Sequence, residues 1–181
     1  MRTLGLIGGG LMATALIKGL LKQGYPAAQI YGSDPDPASR QRLEELGVKT
    51  FASNQTMLTA LSQNEAAGVI LAVKPQVVPE ALSGLEYPDL PLLSIVAGYE
   101  LAALEALLPS GTKVLRAMPN TPALIGAGIT ALSPGSNCGA PEQAWAEQIL
   151  SSLGQVVSVP EKLMNAVAGL SGSGPGYVYL F

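Results

Sequence analysis

The stretch Leu4-Gly5-Leu6-Ile7-Gly8-Gly9-Gly10-Leu11-Met12-Ala13 decides how the rest of the chain is read. Leu4 to Ile7 is an apolar run of strand length. Leu11 to Gln23 follows a helical period, with Leu16, Ile17, Leu20 and Leu21 on one face and Gly24 as its stop. Between them the small residues fall as G-x-G-x-x-A, with Ala13 in the last place. Each has a physical task there. Gly8 permits a tight turn from strand into helix, Gly10 lets the backbone approach a phosphate because it has no Cβ, and Ala13 lets the helix pack closely on a sheet. The free N–H groups and partial positive charge at the helix start then suit an anion. Alone the pattern is common in glycine-rich turns. Its weight comes from its context: the strand before it, the helix after it, and Asp34, 21 residues beyond Ala13 at the end of a second apolar run. A carboxylate there accepts hydrogen bonds from an adenosine ribose. The alternative is a ligand-free turn, with Asp34 capping a helix that begins near Pro35. The coincidence of features favours a dinucleotide site.

Outward from this stretch, short apolar runs keep alternating with helical patterns. Gln29 to Gly32 reads as a strand, Pro37 to Leu46 as a surface helix stopped by Gly47, Val48 to Phe51 as a strand, and Asn54 as the cap of the next helix. Gly68 to Val73, Leu92 to Val96 and Val114 to Ala117 are apolar on both faces, as central parallel strands must be. Leu101 to Leu108 is a helix between the last two. Ile129 to Leu132, a helix from Glu142 to Leu153 ended by Gly154, and Val156 to Val159 follow. From Lys162 the pattern turns helical, interrupted at Gly172 to Gly176, and the chain stops at Phe181 inside the apolar run Tyr177 to Phe181. This alternation predicts an α/β fold, a Rossmann-like, doubly wound, mostly parallel sheet over residues 1–160. Residues 161–181 read as a helical stretch that looks cut short.

Composition narrows the chemistry. Of 181 residues 48% are apolar and 13% charged, the net charge is −3, and the basic residues are scattered singly, so no stripe exists to neutralise nucleic-acid phosphates. Histidine is absent, which removes His-based triads, imidazole bases and His-containing zinc sites; no metal is expected and no catalytic residue is assigned. A single cysteine, Cys138, cannot form an internal disulfide. Arg2 and the uncharged stretch after it have the outline of a secretory leader, but Gly8-Gly9-Gly10 breaks the would-be helix and Lys18 closes it too early for a membrane span. The expected location is cytoplasmic, with no membrane partner, and the Asn54-Gln55-Thr56 sequon is then silent.

Ligands of open parallel sheets lie beyond the carboxyl ends of the strands. Val73-Lys74-Pro75 ends one strand there, and Val96-Ala97-Gly98 offers a flat ring small residues on which to lie. Met118-Pro119-Asn120-Thr121-Pro122 is a proline-stiffened loop whose Asn120 and Thr121 suit a carboxamide. Gly169 to Pro175 is a second glycine loop before a helix; it lacks the Gly-Lys-Ser/Thr ending of a nucleotide-hydrolysing loop, and reads as an interdomain hinge, a ligand contact or both. Asp34 suits the free 2′-hydroxyl of NAD, while Ser33, Ser39 and Arg40 nearby suit the 2′-phosphate of NADP, so the choice between them stays open.

Taken together, Gly8 to Ala13, Ala72-Val73-Lys74-Pro75, Met118 to Pro122 and Gly169 to Pro175 resemble the pyrroline-5-carboxylate reductases, in order and over essentially the whole chain. The resemblance implies reduction of the C=N bond of 1-pyrroline-5-carboxylate to L-proline by NADPH or NADH. It places Ile7, Gly8, Gly9, Gly10, Leu11 and Met12 on the pyrophosphate, Asp34 and Asn54 near the adenosine ribose, and Ala72 to Pro75, Ile95, Val96 and Ala97 toward the nicotinamide; Ser33 beside Asp34, and Asn120 from its own chemistry, join them as cofactor-binding candidates. Thr121, Pro122, Ser173 and Gly174 are the candidates for the imino-acid pocket. It further implies that residues 161–181 are the truncated start of an all-helical second domain that forms a homodimer or higher oligomer and completes the pocket, so this chain alone is expected to be inactive. The missing histidine fits, because a protonated cyclic imine is already electrophilic and needs positioning more than a proton donor. The rival readings are a dehydrogenase of the 3-hydroxyacid type and a non-catalytic NAD(P)-sensing module.

Overall fold

The computed structural model describes residues 2–178. Eight strands form one sheet in the order β3-β2-β1-β4-β5-β6-β7-β8. They are β1 (Thr3–Ile7), β2 (Ile30–Ser33), β3 (Lys49–Phe51), β4 (Ala66–Leu71), β5 (Leu92–Ser94), β6 (Val114–Met118), β7 (Gly128–Pro134) and β8 (Gly154–Ser158). The first six are parallel; β7 runs antiparallel to β6, and β8 parallel to β7. The doubly wound, mostly parallel sheet expected from the sequence is present, and its order reverses direction between β1 and β4.

Helices cover both faces because the central strands are apolar on both. On one side α1 (Leu11–Lys22) and α6 (Ala140–Leu150) pack Leu16, Ile17, Leu20, Ala146, Ile149 and Leu150 against Leu4, Leu6, Ile70, Leu93 and Leu115. On the other, α3 (Asn54–Ser62), α4 (Val78–Leu82) and α5 (Leu101–Glu105) bury Met57, Leu61, Val78, Leu82 and Leu104 against Ile7, Val69, Leu71, Leu92 and Val114. Successive residues Val69, Ile70 and Leu71 thus serve opposite cores, the period of a strand buried on both sides. At the start of β4, Gly68 leaves room for Trp145 of α6; a Cβ there would lie 2.5 Å from the indole Cζ2.

Several boundaries differ from the sequence reading. The helix after β3 is capped by Ser53, whose hydroxyl accepts from the Thr56 N–H, and Asn54 is its first residue. The helix α2 (Pro37–Glu44) is capped by Asp36, which accepts from the Ala38 and Ser39 N–H groups, so the capping role weighed for Asp34 belongs to its neighbour but one. The segment expected to be a helix from Glu142 to Leu153 is α6 followed by a 3-10 turn, Ser151–Leu153.

After β8 the chain is helical: a 3-10 turn Glu161–Leu163, α7 (Met164–Val167), a π-helical stretch Ala168–Gly172 and α8 (Gly174–Val178). The glycine run read as a loop is therefore mostly π-helical, with Ser173 as the joint and Pro175 in the first turn of α8, where a missing N–H costs nothing. The segment is tied to the sheet. Arg116 of β6, 3% exposed, donates to the Glu161 carboxylate at 3.3 Å and to Asn165 Oδ1 at 3.2 Å, and Glu161 also accepts from the Leu101 N–H at 2.6 Å. Of the apolar run at the chain end, Tyr179, Leu180 and Phe181 lie outside the described residues.

Candidate dinucleotide site

At the carboxyl ends of β1, β2, β3 and β4 a cleft of about 470 Å³ opens beside the point where the strand order reverses. Ile7, Gly8, Gly10, Ser33, Asp34, Asn54, Ala72, Val73 and Lys74, all singled out from the sequence, line it. Open α/β sheets bind ligands at such a crevice.

The glycine turn is built as its residue types dictate. Gly8 has φ of +102°, and a Cβ there would sit 2.7 Å from the Ala72 carbonyl oxygen, so only glycine fits. Gly10 is different: its φ of −72° suits any residue, and a Cβ would meet nothing within 4 Å. The space beside it is open to an incoming group. Gly10 is also the N-cap of α1 and has no side chain with which to cap it, so the first-turn N–H groups of this 12-residue helix keep their donors available. The first turn holds no acidic residue either. This donor set fits the pyrophosphate of a dinucleotide.

Across the cleft, Asp34 is fixed by two backbone donors. Its Oδ2 accepts from the Gly9 N–H at 2.7 Å and its Oδ1 from the Asp36 N–H at 2.9 Å. The carboxylate therefore braces the end of β2 against the glycine turn while still lining the cleft. Ser33, buried beneath it, donates to Asn54 Oδ1 at 2.8 Å, and Asn54 Nδ2 donates to the Ala81 carbonyl at 3.0 Å. These two residues form the floor and fasten α3 to α4. Arg40 folds back to donate to the carbonyls of Asp34 and Pro35, at 2.8 and 2.9 Å.

Not every candidate reaches this cleft. Gly9, Leu11 and Met12 belong to the turn and rim without lining the cavity; Leu11 is 79% exposed. Pro75 opens the 3-10 turn Pro75–Val77 just past Lys74. Ile95 and Val96 are buried behind β5, Ala97 is exposed, and none of the three lines the cleft. They follow β5, which neighbours β4, so they extend the same strand-end edge.

Asn120 is committed elsewhere: its Nδ2 donates to Ser171 Oγ at 3.2 Å and its Oδ1 accepts from the Ile129 N–H at 3.0 Å. It joins the loop after β6 to the π-helical stretch. Thr121 and Pro122 open the 3-10 turn Thr121–Ile125 beside it. Ser173 Oγ donates to the Ala168 carbonyl at 3.0 Å, and Gly174 starts α8. None of these residues lines the cleft; the Asn120–Ser171 bond is what links their two segments.

Ser39, weighed from the sequence for a 2′-phosphate, also lines the cleft; sequence reasoning missed Pro35, Ala52, Val77, Glu80 and Ala81, which complete the lining. Ala52 and Pro35 were recoverable, since each directly follows a strand or its last acidic residue. Val77, Glu80 and Ala81 carried no signal, because the short helix α4 that swings over the cleft is too brief to show a period.

Comparison with known proteins places the chain. Residues 3–98 match the family described as NADP oxidoreductase, coenzyme F420-dependent. The pyrroline-5-carboxylate reductase of Haemophilus influenzae is 42% identical over 99% of this chain and 66% of its own length. That of Synechocystis is 40% identical over 98% and 66%. The chain thus spans just under two thirds of these curated relatives. Among solved structures, the Coxiella burnetii pyrroline-5-carboxylate reductase superposes with a TM-score of 0.89 at 30% identity, covering 99% of this chain and 67% of that one. The Plasmodium falciparum pyrroline carboxylate reductase, solved with NADP bound, gives 0.84 at 26% identity, covering 99% and 66%.

Proposed function

The chain belongs to the pyrroline-5-carboxylate reductase family, and on that premise we propose that it is the cofactor-binding part of an oxidoreductase that reduces the C=N bond of 1-pyrroline-5-carboxylate to L-proline. The observation that carries this reading is the cleft itself, with an open glycine at the helix start facing a braced carboxylate. The reduced nicotinamide of NADPH or NADH supplies the hydride; the Plasmodium relative is solved with NADP bound.

The work of this chain is positioning. The first turn of α1, from Gly10 to Met12, holds the pyrophosphate through backbone N–H groups, and Asp34 receives the adenosine ribose over the floor made by Ser33 and Asn54. Ala72 to Pro75 and Ile95 to Ala97 carry the binding path along the strand ends toward β6. Asn120 stands toward the nicotinamide, Thr121 and Pro122 with Ser173 and Gly174 form this chain's side of the imino-acid pocket, and the Asn120–Ser171 bond ties the two segments together. The imine nitrogen arrives protonated, so no side chain need deliver a proton to it, and a chain without histidine can do the chemistry. Residues 1–160 act as the cofactor domain and 161–181 as the start of a helical substrate and dimerisation domain. The assembled protein is a cytoplasmic homo-oligomer with no nucleic-acid partner. Among the described residues no helix is long and apolar enough to cross a membrane.

The test is turnover. The 181-residue chain and the same chain followed by the C-terminal third of the Haemophilus influenzae relative are supplied with 1-pyrroline-5-carboxylate and NADPH or NADH. Proline is expected from the longer protein and almost none from the shorter. Oxidation of a 3-hydroxyacid instead would refute the reductase assignment, and proline formation undiminished in the shorter chain would refute the division into cofactor and substrate domains.

A further inference from the structure

We propose that Asp34 makes this chain select NAD(H) over NADP(H), an inference that rests on the dinucleotide site proposed above. The carboxylate's position is settled by two backbone donors on two separate oxygens, Gly9 N–H on Oδ2 and Asp36 N–H on Oδ1. An ionised carboxylate offers about four lone-pair sites. With two used internally, each oxygen keeps one acceptor site for the cleft it lines. Two adjacent acceptors match the two hydroxyls of an unmodified ribose. A 2′-phosphate has no proton for them at neutral pH and brings about two further negative charges against a group that cannot swing away without releasing the glycine turn.

The surroundings do not supply the compensation that a 2′-phosphate needs. The charged side chains lining the cleft are Asp34, Glu80 and Lys74, two anions against one cation. The cations of α2 are turned to other tasks. Arg40 is anchored on the Asp34 and Pro35 carbonyls, and Arg42 Nη2 donates to Ser39 Oγ at 2.7 Å. Neither arginine lines the cleft. The Ser39 hydroxyl, which does line it, donates to Asp36 Oδ2 at 2.8 Å. A phosphate would have to break these bonds and outbid the cap of α2. The selectivity is thus a property of the whole β2–α2 turn, with Asp34 as its fixed charge.

The experiment uses ADP-ribose and 2′-phospho-ADP-ribose, which probe the adenosine half of the site and need no substrate wall. Affinities are measured by calorimetry at one ionic strength for the wild-type chain, Asp34→Ser and Asp34→Asn, each with its circular dichroism and melting curve. Wild type is expected to favour ADP-ribose by roughly tenfold or more, and both substitutions to move the ratio toward the phosphorylated ligand by about tenfold. Asn keeps an acceptor for the Gly9 N–H, so it serves if the serine variant does not fold. Tighter or equal binding of the phosphorylated ligand by wild type, or a ratio unchanged in a folded variant, overturns the selectivity alone. Binding of neither ligand overturns the dinucleotide site along with it.

Discussion

Two neighbouring glycines make opposite predictions. Gly10 sits at φ −72° and ψ −175°, and its Cβ would point into open space. In Gly10→Val the lost N-cap preference costs about 1 kcal/mol. Reduced freedom of the unfolded chain returns roughly 0.4–1 kcal/mol, so stability should hardly change. The added side chain, however, stands beside the free N–H groups of the first turn of α1. Losing one hydrogen bond to a charged phosphate is worth about 1.5–3 kcal/mol, or roughly a ten- to hundredfold weaker affinity. Gly8→Ala reverses the profile. Its φ of +102° and the Ala72 carbonyl 2.7 Å from the new Cβ force the backbone to shift, a strain of about 1–3 kcal/mol that appears as lost stability. Calorimetric titration with ADP-ribose beside thermal melts separates the two effects. A folded Gly10→Val chain that binds ADP-ribose as tightly as wild type would refute the placement of the pyrophosphate on this turn.

Three further outcomes follow from the packing and the charges. Glu161→Ala leaves the buried Arg116 with Asn165 alone among the described residues; because Glu161 is a third exposed, the loss should be about 2 kcal/mol, below the full cost of orphaning a buried charge, as read from denaturant unfolding. Gly68→Ala drives a Cβ into Trp145 and Pro91 and should cost about 1–3 kcal/mol of stability without altering ligand affinity. The Asp36 carboxyl is held below its ordinary value of 3.8 by hydrogen bonds from the Ser39 hydroxyl and from the Ser39 and Ala38 N–H groups. A depressed value means that this stabilisation is complete above the unfolded-state pKa and is lost as pH falls through the folded one. Melting curves taken downward from about pH 5 should therefore show a fall in wild type that is smaller in Asp36→Asn.

Sequence reasoning reached what depends on local physics. The β1 turn, the two-faced strands and the acidic residue after β2 each follow from residue type and spacing, and the structure brings Gly8, Gly10, Ser33, Asp34, Asn54 and Ala72 to Lys74 to one cleft. What escaped depends on competition between neighbours. Asp34 and Asp36 are chemically alike, and only the backbone path decides that the second caps α2 while the first braces Gly9. Ser53 and Asn54 compete for one helix start in the same way. The direction of β7 is unreadable because an apolar strand looks the same either way round; the 3-10 turn Thr121–Ile125 with Gly126 at φ +75° reverses the chain. The π-helical stretch was hidden by its glycines, which read locally as a loop, while the Asn120–Ser171 bond and the Arg116–Glu161–Asn165 tie that hold the segment span about 45 to 51 residues of sequence.

The chain's one tryptophan sits where it is spectroscopically useful for one purpose and blind to another. Trp145 packs on Gly68 at the amino end of β4, its indole nitrogen buried without an acceptor among the described residues, whereas the cleft lies past the carboxyl end of the same strand. Its emission should therefore be that of a half-buried indole and should redden as the sheet opens, making it a reporter of unfolding. ADP-ribose in the cleft touches none of its neighbours and should leave that emission unchanged. If the ligand does alter it, the perturbation has crossed the length of β4, and the domain is mechanically softer than its packed strands imply.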